Sequence, residues 1–130
     1  MADFKLIIER AYSAFNKRDI EGALALMTEG VNWPKASESG RVVGREEIRA
    51  YWIRQWREFD PTVEPLSITE EDGGRFRVRV HQVVESLRGE VLSDNEVLHI
   101  FTMKNGLIAA MELGEEADAT GPTAAFAHRS

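Results

Sequence analysis

The sequence contains no cysteine. That excludes a disulfide framework, thiol catalysis and cysteine-ligated metals. It also has no apolar run approaching the roughly 20 residues that cross a bilayer, so no membrane partner is expected. Basic charge is scarce: 16 Lys and Arg stand against 22 Asp and Glu, a net charge of −6. An acidic chain repels phosphate backbones, which argues against a nucleic-acid partner. The N-terminus, Met1-Ala2-Asp3-Phe4-Lys5, lacks the basic start and apolar stretch of a signal peptide, which predicts a cytoplasmic protein. Histidine is sparse too. His81, His99 and His128 lie far apart with no metal-ligand spacing, so neither a metal nor another cofactor is expected.

What is present fits one ordinary globular domain. The chain has 130 residues, 43% hydrophobic and 29% charged, and a domain of this size buries roughly two-thirds of its unfolded surface without help from a staple. Asp3 can cap a helix running to about Lys17, with Phe4, Ile7, Ile8, Ala11, Tyr12, Ala14 and Phe15 on one face. Asp19 can cap a second, short helix, in which Ile20, Ala23, Leu24 and Met27 recur at helical spacing. Val31-Asn32-Trp33 is a short extended piece, and residues 34–43 read as a loop. Gly44 opens a third helix to about Phe59, with Ile48, Tyr51, Trp52, Trp56 and Phe59 in one stripe and Gln55 inside it.

Beyond Asp60-Pro61 the period changes to two. Residues 63–70 read as a strand with Leu66 and Ile68 on one face. Strands at 75–87, 90–104 and 107–113 follow, joined at Arg88-Gly89 and at Asn105-Gly106, the strongest hairpin signal in the chain. Three helices followed by an antiparallel four-strand meander predict an α+β fold with the helices on one face of the sheet. The domain is expected to span residues 1–114. Residues 115–130, rich in Ala, Gly and Thr, are expected to be a tail packed on the domain or on a dimer partner.

Side-chain alternation fixes the pairing once the turns are taken as two-residue turns. Val78 then faces His99, Phe76 faces Phe101 and Gln82 faces Asn95. The face holding Phe76, Val78, Val80, Val97, Phe101 and Met103 is apolar and becomes the concave one, with His99, Asn95 and Gln82 as its polar members. The same arithmetic at Asn105-Gly106 puts Met111 and Leu113 on the opposite face, beside Val83, Leu98 and Ile100, and sets Glu112 opposite His99. An apolar patch on an outer sheet face predicts a homodimer packed through Val83, Leu98 and Ile100.

Several blocks resemble the nuclear transport factor 2-like superfamily, in its SnoaL-like and ketosteroid isomerase-like branch. They are Phe4 to Phe15 followed by Asn16-Lys17-Arg18-Asp19-Ile20; Val31-Asn32-Trp33; Gly44-Arg45-Glu46-Glu47-Ile48-Arg49-Ala50-Tyr51-Trp52; and Val97 to Ile108. The resemblance covers about residues 4–113 and implies a cone-shaped fold with a pocket. It implies a range of activities: isomerases, cyclases, epoxide hydrolases, dehydratases and non-catalytic binding modules. By block alignment the isomerase Tyr position falls at Ala11, with Tyr12 next to it. The catalytic base position falls near Lys35, the oxyanion-stabilising Asp position at His99, and an aromatic pair at Tyr51 and Trp52. The carboxylates of that mechanism are therefore absent, which disfavours steroid isomerisation by that route. The resemblance also points Met111 inward, which needs a bulge and turns Glu112 out.

His99 is the candidate catalytic group, an imidazole on an apolar concave face that can exchange or donate a proton. The candidate ligand-binding wall is Tyr12, Trp33, Tyr51, Trp52, Gln55, Val78, Asn95, Phe101, Met103 and Met111. These residues imply a small, mostly apolar carbonyl or hydroxyl ligand, held in a pocket that either performs isomerase, cyclase or hydro-lyase chemistry or simply binds.

Overall fold

A computed structural model describes residues 3–35 and 40–114. The expected tail, and His128 within it, lie outside the described residues. Helix α1 spans Phe4–Asn16 and buries Ile8, Ala11, Tyr12 and Ala14. Asp3 caps it by accepting the Leu6 N–H at 3.1 Å. Helix α2, Ile20–Leu24, is capped in the same way by Asp19, which accepts from Gly22.

Met27 does not extend α2 as its spacing suggested. It opens strand β1, Met27–Pro34, which forms a hairpin with β2, Arg41–Val43. Gly44 then turns the chain with φ 98° and ψ 153°, a conformation essentially restricted to glycine, and donates its N–H to the Val31 carbonyl at 2.7 Å. Helix α3, Arg45–Trp56, follows and buries Ile48, Tyr51, Trp52 and Gln55. It ends at Trp56, short of the expected Phe59, because Phe59 already pairs with Ser86 across the sheet.

Strands β3 (Phe59–Glu71), β4 (Arg75–Ser86), β5 (Val91–Lys104) and β6 (Leu107–Leu113) form the expected meander. The sheet has six strands rather than four, in the order β2-β1-β6-β5-β4-β3, with β1 parallel to β6. It is curved and unclosed, and the helices cover its concave face. β3 is an edge strand, which is where Pro61 and Pro65 can be tolerated without breaking a ladder. Its register shifts between Pro65 and Ser67, which leaves Leu66 exposed and only Ile68 packed on the core.

The β4–β5 register is the one that alternation gives: Phe76 with Phe101, Val78 with His99, Gln82 with Asn95. The β5–β6 register is not. A bulge between Thr102 and Met103 sets Met111 opposite Phe101, Glu112 opposite Ile100 and Leu113 opposite His99. Met111 is therefore buried in the core and Glu112 is exposed, so no carboxylate faces His99. The outer apolar patch loses Met111 and Leu113 by the same shift. Side chains also pin the layers. Asn16 donates to the Val63 carbonyl and accepts its N–H, at 2.7 and 2.9 Å, fixing α1 to β3. Arg45 donates to the Met27 carbonyl from two nitrogens, fixing α3 to β1.

Candidate functional site

Between the helices and the sheet lies a cavity of about 80 Å³, room for several waters. Five elements supply its main side chains. α1 contributes Ala11, Tyr12 and Phe15, and α3 contributes Tyr51, Trp52 and Gln55. β1 contributes Met27, Trp33 and Pro34, β4 contributes Gln82 and Val84, and β5 contributes His99 and Phe101. Pro61 and Val63 of β3 and Met111 and Leu113 of β6 complete the wall. No Asp, Glu, Lys or Arg is among these residues.

The aromatic rings interlock edge to face. Trp33 meets Trp52 at 5.8 Å between centroids and Phe15 meets Trp52 at 5.3 Å, while Trp33 lies tilted by 59° against Phe101 at 6.1 Å. Edge-to-face contact of this kind adds to the burial energy of the rings and holds their orientation.

At the centre of the wall, Tyr12 Oη lies 2.7 Å from His99 Nδ1. The rings are nearly parallel, 8° apart, and Phe101 stands edge-on to both. Burial pushes the His99 imidazole down to about 4 and raises the Tyr12 phenol well above its ordinary range. Both groups are thus neutral at pH 7. A phenol is a better donor than a neutral imidazole, so Tyr12 donates to Nδ1 and the ring proton sits on Nε2. That leaves an N–H at Nε2 as the group His99 can offer a ligand.

Of the residues expected to line the pocket, Tyr12, Trp33, Tyr51, Trp52, Gln55, His99, Phe101 and Met111 do so. Val78, Asn95 and Met103 do not. Val78 and Met103 are packed into the core. Asn95 pairs with Gln82 across the strands, and its own amide lies buried outside the cavity wall. Gln82 reaches the wall instead. Phe15, Val63, Val84 and Leu113 were not singled out as lining residues. Helical spacing from Tyr12 could have found Phe15, and strand alternation from Gln82 could have found Val84. Leu113 depends on the β6 bulge.

His81 sits on the outer face with β4's arginines, its Nε2 2.6 Å from Asp94 Oδ1, and that carboxylate holds its pKa above the ordinary value. Among the described residues no group of three His, Cys, Asp or Glu is placed to hold a metal, and no helix is long and apolar enough to cross a membrane.

Comparison with known proteins follows from this geometry. No curated protein matches the sequence. Solved structures do. An NTF2-like protein from Burkholderia pseudomallei superposes with a TM-score of 0.76 at 20% identity, covering 92% of this chain and 95% of that one. TerC, co-crystallised with polyporic acid, gives 0.74 at 27% identity, covering 88% and 92%. RV0760c from Mycobacterium tuberculosis, in complex with estradiol-17beta-hemisuccinate, gives 0.75 at 16% identity, covering 91% and 97%. Residues 8–111 match the SnoaL-like domain. The cone, the interior cavity and this match together make the chain a member of the SnoaL-like domain family, within the NTF2-like fold.

Proposed function

We propose that the cavity binds a small, mostly apolar carbonyl or hydroxyl compound and that His99, oriented by Tyr12, polarises its oxygen. The observation that carries this reading is the 2.7 Å Tyr12–His99 hydrogen bond set in an uncharged, aromatic cavity. A neutral imidazole N–H in an apolar site donates a strong hydrogen bond to a developing oxyanion. With a pKa of about 4 the same imidazole is a weak base at neutral pH. His99 therefore acts as the electrophilic donor, and the chemistry is of isomerase, cyclase or hydro-lyase type in which polarisation and shape contribute most. Two structural relatives hold small organic molecules, polyporic acid with TerC and estradiol-17beta-hemisuccinate with RV0760c, which supports the reading of the cavity as a small-molecule pocket.

The test is a panel of cyclic ketones, enones and phenols, screened by thermal shift and then incubated with the protein and analysed by chromatography. The wild-type chain should convert at least one stabilising compound. Removing one oxyanion donor costs on the order of 10²-fold in rate, so His99→Leu should lose turnover by about that factor. Binding that survives without any product in the wild type would overturn the catalytic reading. It would instead support a non-catalytic binding module, which the absence of a carboxylate from the cavity wall favours.

The chain further pairs as a homodimer through the outer face of the sheet. Support comes from Val83 and Ile100, half-buried on that face, and from Leu98 beneath Gly114. The apolar strip they make is narrower than alternation suggested, because Met111 and Leu113 have turned inward.

A further inference from the structure

On the concave face of the β4–β5 pair, polar residues occupy two separate levels. His99 lies opposite Val78, then Val97 opposite Val80, then Asn95 opposite Gln82, then Ser93 opposite Val84. Four residues along β5 separate His99 from Asn95, about 13 Å at ~3.3 Å per residue. Gln55 lines the same cavity from α3.

The second level is unusual in its hydrogen bonding. Gln55 and Gln82 are only 8% and 9% exposed, and both line the cavity. Neither amide is tied to another side chain or to backbone among the described residues. Both amide atoms of Asn95 and the hydroxyl of Ser93 are buried with no partner. Buried polar groups in folded proteins are almost always paired, so two glutamine amides that line the cavity call for a partner from within it.

Building on the ligand-binding reading above, we infer that Gln55 and Gln82 form a second recognition pole and that the cavity selects an uncharged, elongated ligand with a hydrogen-bonding function at each end. One end meets His99 Nε2. The other meets side-chain amides that offer both a donor and an acceptor, and so accept a hydroxyl, a carbonyl or a carboxamide. A carboxylate or an ammonium is rejected, because the wall holds no opposite charge to offset its desolvation.

The test uses three biphenyls of one shape: the para-hydroxy compound, the para,para′-dihydroxy compound and the para-hydroxy compound with a para′-carboxylate. Binding is read by quenching of tryptophan fluorescence, since Trp33 and Trp52 line the cavity. The diol should bind the wild-type chain at least about tenfold more tightly than the mono-ol, and the carboxylate more weakly than either. Gln82→Leu and, independently, Gln55→Met should each cost the diol more affinity than the mono-ol and so shrink the advantage of the diol. Equal affinity of mono-ol and diol, or equal weakening of both by the glutamine variants, would overturn the second pole. If none of the three biphenyls binds, the underlying pocket reading fails, and the second pole fails with it.

Discussion

Tyr12 and His99 come from elements 87 positions apart in sequence and meet in a single buried hydrogen bond. Each group satisfies the other, so removing one strands its partner. Tyr12→Phe leaves Nδ1 unpaired and His99→Leu leaves the phenol unpaired, and each should destabilise the fold by ~1–3 kcal/mol. The double variant removes both polar groups and should recover most of that loss. Urea unfolding of the four proteins measures the coupling, and additive losses would show that the pair is not a unit. The same imidazole sets a pH dependence. Its folded pKa of about 4 lies below the unfolded value of 6.5, so between those values the unfolded chain binds a proton that the folded chain does not. Stability attributable to His99 is therefore complete above pH 6.5 and falls as pH drops toward 4, by at most ~1.4 kcal/mol per unit. His99→Asn should flatten that limb of the stability–pH curve. An unchanged slope between pH 4 and 6.5 would assign the acid sensitivity to other groups.

Gly44 illustrates how an element boundary can rest on one residue. Its φ of 98° and ψ of 153° place it in backbone space reserved for glycine, while a Cβ there would meet Glu29's carbonyl oxygen at an ordinary 3.6 Å. The cost of Gly44→Ala is thus conformational rather than steric, ~1–3 kcal/mol, and should appear as a lower urea midpoint with an unchanged m-value. The start of α3 was legible because Gly44 precedes an acidic first turn. The β4–β5 register was legible because Phe76, Val78 and Val80 alternate with arginines, leaving one face to bury. β1 was only half legible. Gly30 and three polar residues interrupt any alternation, and its pairing with β6 joins segments far apart in sequence. The β6 bulge was not legible from alternation at all. Ala109-Ala110 carries no preference for either face, so the pattern reads equally well in both registers, and only packing against Phe101 selects the one that buries Met111. Tyr12 was visible as a residue but not as a partner. The apolar face of α1 is broad, and nothing in its spacing says which way a hydroxyl on that face points.

For the molecule as a whole, the bulge has consequences on both sides of the sheet. Inward, it delivers Met111 and Leu113 to the cavity and keeps Glu112 away from His99, so the site stays uncharged. Outward, it leaves a strip of Val83, Leu98 and Ile100 framed by ion pairs, Arg79 with Glu96 and His81 with Asp94, that are already satisfied within the chain. Leu98 is covered by Gly114, where a Cβ would approach its Cδ2 to 2.6 Å, so a larger residue just after β6 would have to displace the Leu98 side chain. The homodimer proposed above packs through the half-buried Val83 and Ile100 of this face, with the exposed Glu112 beside Ile100. Light scattering at micromolar concentration should therefore return twice the 14.7 kDa chain mass. Ile100→Lys places a like charge beside its own symmetry-related strip and should shift the protein toward monomer without altering probe binding in the cavity on the other side of the sheet. A monomeric wild type, or a variant that stays dimeric, would remove the outer face as the interface.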